Sequence, residues 1–158
     1  MIYIGIDPGK SGACAYTLGN EMYTFKFSDT EHDIYARMSN AFANNDDKFA
    51  LIEKVHAMPK QGVTSSFTFG RNYGFLRGCL TALRIPFEEI SPQRWQKAIG
   101  CMSKGDKNVT KAKAQNMFPC MKITHAIADA ILIAEYAKRL HMLRKAPGVP
   151  LVETSHGG

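Results

Sequence analysis

Three acidic residues and one histidine have the types and positions to do chemistry in this sequence. Asp7 ends an alternating apolar stretch, Ile2 to Ile6, that reads as a strand. Glu53 ends a second stretch, Phe49-Ala50-Leu51-Ile52, whose unbroken apolar run suits a strand buried on both faces. Asp129 lies within Ala126-Ile127-Ala128-Asp129-Ala130-Ile131-Leu132-Ile133-Ala134, a helix that is apolar nearly all round and so belongs against a sheet. A buried carboxylate without a partner costs on the order of several kcal/mol, so it must find a cation or hold a proton. No Lys or Arg stands three or four residues to either side of Asp129, but His125 does, one helical turn before it.

Three acids and an imidazole make a hard, oxygen-rich set of donors suited to Mg²⁺ or Mn²⁺. Metal-assisted phosphodiester hydrolysis uses such a cluster to hold two ions about 3.5–4 Å apart, one activating water and the other neutralising the leaving oxygen. Taken singly, each residue has a plainer account. Asp7 suits a turn before Pro8-Gly9, Glu53 an ion pair with Lys54 or Lys10, and His125 a helix start satisfied by solvent or backbone. Together they favour a metal site: in open α/β sheets, ligands gather at the carboxyl ends of strands, where Asp7 and Glu53 both stand.

The elements that must position them follow from periodicity and turn chemistry. Pro8 to Gly12 forms a tight turn, Ala13 to Thr17 a second strand, and Gly19-Asn20 a hairpin turn into a third strand from Met22 to Phe27. Asp29 or Thr30 caps a helix with Ile34, Met38 and Phe42 on its apolar face. After the strand ending at Glu53, Met58 to Thr64 is a loop, and Ser65 or Ser66 starts a helix running to about Leu83. Gly70, Gly74 and Gly78 line one face of it, which suggests that a strand or a nucleic-acid backbone comes close. Pro86 to Ile90 is a further strand, and Ser91-Pro92 starts a helix containing Trp95. Gly100 to Asn108 is a lysine-bearing loop, Val109 to Phe118 a short helix, and Thr124 to His141 the last. The expected architecture is α/β: a ribonuclease-H-like mixed five-stranded sheet flanked by helices, one domain over residues 1–146, with a loosely ordered tail over 147–158.

Composition narrows the partners. The 158 residues suffice for a core of their own, and 45% hydrophobic with 22% charged residues excludes a disordered chain. No apolar run approaches the roughly 18–20 residues that span a bilayer, and no secretory leader precedes the first strand, so a cytoplasmic protein without a membrane partner is expected. Cys14, Cys79, Cys101 and Cys120 are widely spaced and read as buried or half-buried thiols rather than a zinc site or disulfide framework. A net charge of +6 with pI ≈ 9.2 points to a polyanion. Lys104, Lys107, Lys111 and Lys113 are placed to meet a DNA backbone, although solvated surface is the plainer account of each.

The sequence also resembles a family. Ile4-Gly5-Ile6-Asp7-Pro8-Gly9, Leu51-Ile52-Glu53-Lys54-Val55 and His125-Ala126-Ile127-Ala128-Asp129-Ala130 look like the three active-site motifs of RuvC-type Holliday junction resolvases. Phe67 to Gly74, Pro92 to Lys97 and Ala130 to Tyr136 resemble the phage-type branch. The likeness covers roughly residues 1–140, in order. It implies a homodimer of ribonuclease-H-like subunits in a bacterial or phage-infected cytoplasm. Each subunit would nick four-way or otherwise branched DNA with Mg²⁺ or Mn²⁺, two ions to a site and no small-molecule cofactor, leaving 5′-phosphate ends. Asp7, Glu53 and Asp129 would be metal ligands and His125 the fourth. Lys10, His56, Phe69, Arg71, Lys104, Lys107 and Lys111 would contact DNA. His56 departs from the family, in which bacterial members often place a wedging Phe at that position. Phe69 is open to either stacking on DNA or core packing, Phe67 is expected in the core, and the helix over residues 65–83 is the candidate dimer face, with Phe75 and Leu76 outward.

Two other classes fit parts of the sequence. Asp7 to Gly12 resembles the first phosphate loop of the acetate and sugar kinase superfamily, which needs a second loop and domain that 158 residues do not hold. A branched-DNA-binding dimer with a vestigial nuclease would have no use for a buried acid trio.

Overall fold

The computed structural model describes residues 1–9, 11–27, 30–43, 47–54 and 62–146; Lys10, His56 and the 147–158 tail lie outside these. Strands β1 (Ile2–Asp7), β2 (Ala13–Leu18) and β3 (Glu21–Lys26) form an antiparallel meander. Helix α1 (Glu31–Ala41) leads into β4 (Lys48–Glu53), and α2 (Val63–Ala82) into β5 (Phe87–Ile90). Helices α3 (Pro92–Ile99), α4 (Lys107–Met117) and α5 (His125–Lys145) complete the chain. The sheet order is β3-β2-β1-β4-β5, with β1, β4 and β5 parallel. This is the mixed five-stranded ribonuclease-H-like sheet expected from the sequence.

Strand alternation divides the core in two. Ile2, Ile4 and Ile6 of β1, with Ala50 and Ile52 of β4, face a layer containing Ile34 and Met38 of α1 and Leu76 and Leu80 of α2. Tyr3 and Leu51 point the other way, into a layer with Trp95, Ala114 and the buried side of α5. Asp7 and Glu53 lie two residues beyond Gly5 and Leu51, so the pleat turns both acids toward α5.

Helix α5 approaches β1 at van der Waals limits. A Cβ built on Gly5 would lie 2.2 Å from the Ala130 carbonyl oxygen and 2.2 Å from the Ala134 amide nitrogen. Only hydrogen fits there. Buried alanines at 13, 15, 128, 130, 134 and 137 keep the rest of this interface small-sided.

Several sequence expectations change. Helix α2 starts at Val63, after Gly62, not at Ser65 or Ser66, and has no side-chain cap. Helix α4 starts at Lys107, capped by Asp106, because the Asp106 carboxylate takes the Asn108 amide at 2.9 Å. Phe67 is 72% exposed, not core, while Phe69 is half-buried. Leu76 is 2% exposed and belongs to this chain's own core, and Phe75 is half-buried. A Cβ on Gly70, Gly74 or Gly78 would meet nothing within 4 Å, so the close neighbour expected for that face is absent among the described residues. Cys120 is exposed, whereas the other three thiols are buried. Among the described residues, no helix is long and apolar enough to cross a membrane.

Candidate metal centre

The three acids arrive from three elements. Asp7 and Glu53 end the adjacent parallel strands β1 and β4, one residue beyond the Ile6–Ile52 pair. Asp129 descends on them from the second turn of α5. Asp7 is 8% exposed and Asp129 3%, and Glu53 is half-buried. Glu53 feels the charges of Asp7 and Asp129, Asp7 that of Asp129, and both feel the ammonium of Lys107.

Each carboxylate is engaged in its own way. Asp7 Oδ1 accepts the Gly9 amide at 3.0 Å, which turns the chain sharply after β1. Glu53 Oε1 accepts the Trp95 indole N–H at 2.8 Å. Trp95 is fully buried, so its N–H needs an internal acceptor, and α3 supplies the ring from below the site. Asp129 Oδ2 takes the Lys107 ammonium, while its Oδ1 is buried with no hydrogen-bond partner.

The electrostatics show a centre short of positive charge. Burial, and then the charge of Asp7, push the Glu53 carboxyl up to about 7, against the pull of the Trp95 hydrogen bond. Burial likewise raises Asp7, opposed by the Gly9 amide and reinforced by the charge of Asp129. Burial pulls Lys107 down, but the hydrogen bond and charge of Asp129, with Asp7 and Glu53 behind it, carry it above the ordinary lysine value. Three carboxylates against one ammonium leave a net charge of two minus when all are ionised.

Among the described residues no three His, Cys, Asp or Glu side chains converge closely enough to grip a metal ion as they stand. Lys107 sits on Asp129, the indole holds Glu53, and the Gly9 amide holds Asp7. The donors nevertheless fit a hard divalent cation. They are carboxylate oxygens, one of them buried and orphaned, and their surplus charge matches one such ion.

His125 is the first residue of α5 and is exposed. Its Nδ1–H donates to the Lys107 carbonyl at 3.3 Å, and Nε2 has no partner among the described residues. It stands beside the segment that delivers Lys107, without a contact to the carboxylates. Lys104 and Lys107 line a cleft of about 420 Å³ together with Glu53, Gln93, Gln96 and Asp129. Lys104 has φ 50 and Gly105 φ 95, a left-handed pair that bends the 101–106 loop round the cleft. Lys111 is half-buried farther along α4. Arg71 lies on α2, 3.6 Å from Glu31, beside a separate hollow near Pro8 and Gly9.

Two pairings at the site escape a reading of the sequence, which names Lys107 only as a DNA contact and gives Trp95 no role. Lys107 lies 22 positions from Asp129, beyond any helical spacing. The start of α4 at Asp106 was the available signal. Trp95, the only tryptophan, needed a buried acceptor, and that need could have pointed to Glu53.

No protein-family model and no curated protein matches the sequence. Solved structures do match the fold. A Thermus thermophilus RuvC in complex with Holliday junction substrate superposes with TM-score 0.64 at 16% identity, covering 89% of this chain and 96% of that one. A second structure of Thermus thermophilus RuvC gives TM-score 0.61 at 16% identity, covering 89% and 97%. The strand order, the parallel β1–β4 pair and the α5 packing above it are therefore those of a known architecture, and this chain has the ribonuclease-H-like fold of the RuvC-type Holliday junction resolvases.

Proposed function

We propose that this protein is a divalent-metal-dependent endodeoxyribonuclease that nicks four-way and other branched DNA, acting as a homodimer in a bacterial or phage-infected cytoplasm. The observation that carries this reading is that Asp7 and Glu53 end adjacent parallel strands beneath α5, which brings the buried Asp129, its Oδ1 orphaned, over the same sheet edge. The Holliday junction bound to the Thermus protein of the same fold supports the choice of substrate.

Asp7, Glu53 and Asp129 would hold Mg²⁺ or Mn²⁺, two ions in the full site, with His125 Nε2 the available nitrogen at the rim. Bound there, the ions would supply an activated water and neutralise the leaving oxygen. Trp95 fixes the rotamer of Glu53, and the Gly9 amide fixes that of Asp7. Lys104, Lys107 and Lys111 would meet phosphates along the cleft and α4. Lys10, His56, Phe69 and Arg71 would add further DNA contacts, Arg71 from beside the hollow near Pro8 and Gly9. The open glycine face of α2 is where a second subunit would fit, since symmetric four-way DNA calls for a symmetric pair of sites.

The test is cleavage of a labelled mobile four-way junction and of linear duplex of the same sequence, with Mg²⁺, with Mn²⁺ and with EDTA. Paired symmetric nicks in the junction alone, lost in EDTA and lost in Asp7→Asn with junction binding retained, are expected. Equal cutting of duplex would make the protein a general nuclease. Binding without cutting under either metal would leave a branched-DNA binder.

A further inference from the structure

We propose that Lys107 is the resident counter-cation of the carboxylate centre, holding Asp129 while no divalent metal is present and yielding that place when metal arrives. The inference rests on the metal reading of the centre. It adds an exchange of one cation for another, with the released lysine handed to the substrate cleft.

The geometry has an unusual division of exposure. The Asp129 side chain is 4% exposed, whereas that of Lys107 is 58% exposed. Only the tip of the lysine enters the centre, from a surface position, on a four-carbon stem. An ammonium is a compact point charge with three rotatable donors, so it can leave without repacking the core. It also satisfies the site incompletely. It takes Asp129 Oδ2, leaves Oδ1 buried and bare, and offsets one of three carboxylate charges. A divalent ion seated among Asp7, Glu53 and Asp129 would meet the ammonium at contact distance, where like charges repel strongly in a partly desolvated site. The two cations are therefore competitors for one position.

The backbone at Lys107 is pinned, so the exchange is a side-chain movement. Asp106 caps α4 through the Asn108 amide, and His125 Nδ1–H holds the Lys107 carbonyl. The Ser103 amide is tied to Gln96 Oε1 at 3.2 Å, which fixes the approach to α4 against α3. From this anchor the released ammonium swings into the cleft it shares with Gln93, Gln96 and Lys104. A phosphate drawn to the centre would lie there. Metal arrival then frees a cation where the substrate needs one, and the metal-free protein keeps its acids partly neutralised and the fold intact.

Two measurements on the whole chain, without DNA, decide the matter. The first is Mn²⁺ binding, read from the electron paramagnetic resonance of free Mn²⁺, for wild type, Lys107→Met and Lys107→Arg. Lys107→Met should bind Mn²⁺ about fivefold more tightly, the scale of an ion pair with one exposed partner that no longer has to be broken. Lys107→Arg retains a competing cation and should stay near wild type. The second uses the wild-type protein alone, so a poorly folded variant cannot obscure it: acetylation of Lys107, followed by mass spectrometry, should quicken severalfold on adding Mn²⁺, with Lys122 unchanged as the internal control. Equal or weaker Mn²⁺ binding by Lys107→Met overturns the exchange, as does Lys107 labelling that is unchanged or slower with Mn²⁺ bound. Absence of Mn²⁺ binding in wild type and variant alike would remove the metal reading itself, and the exchange with it.

Discussion

Gly5 and Ala134 meet backbone to backbone: the Cβ that Gly5 lacks would stand 2.2 Å from the Ala134 amide nitrogen. That contact sets how deep α5 sits on β1, and hence whether Asp129 reaches Asp7. Two residues along the strand is Asp7, and one residue before Ala130 on the helix is Asp129.

Gly5→Ala should therefore be among the most damaging single changes in the protein. The added methyl meets backbone on the far side, which cannot rotate away, so a loss of at least about 3 kcal/mol is expected. Urea unfolding of the variant checks it. A midpoint close to wild type would mean that α5 can lift from the sheet at little cost.

Trp95→Phe tests the support of Glu53. The change removes the indole N–H that holds Oε1 and leaves a void in a fully buried position, together worth about 2–3 kcal/mol. Because Glu53 is then free to turn, cutting of branched DNA should fall more than binding of it. Equal losses in both would reduce Trp95 to a packing residue.

The metal-free protein should lose stability as the pH rises. An unfolded Glu53 gives up its proton near 4.5, whereas the folded one keeps it to about 7. Its contribution is fully present below 4.5 and is lost as the pH climbs through 7, a change on the order of 3 kcal/mol. Asp7, also raised, acts in the same direction. Melting temperatures in EDTA, wild type against Glu53→Gln, isolate the effect. The wild type should fall away from the variant with rising pH, and Mg²⁺ should restore it; parallel profiles would remove Glu53 as the cause.

Lys104→Ala should weaken junction binding uniformly across sequences and lower the salt slope by about one unit. Lys104 lines the cleft and forms no ion pair among the described residues, so its charge is available to phosphate. A slope equal to that of wild type would return it to idle surface.

How much of this could be foreseen depends on the range of the interaction involved. Alternation in Ile2 to Ile6, the apolar run before Glu53 and the all-round apolar helix about Asp129 pointed to three candidate acids and determined which elements carry them. Period-two and helical patterns are local, and they say which way a side chain faces. The three acids, their strand ends and the five-stranded mixed sheet were legible for that reason. The cation that answers Asp129 was not: Lys107 comes from another helix, and a long flexible side chain can meet any acid its backbone passes. Trp95 beneath Glu53, the exposure of Phe67 and the open face at Gly70, Gly74 and Gly78 share that dependence on what lies across the gap. Gly5 shows both sides at once. Its glycine is plain in the sequence, but only the packed helix above it reveals why nothing larger fits.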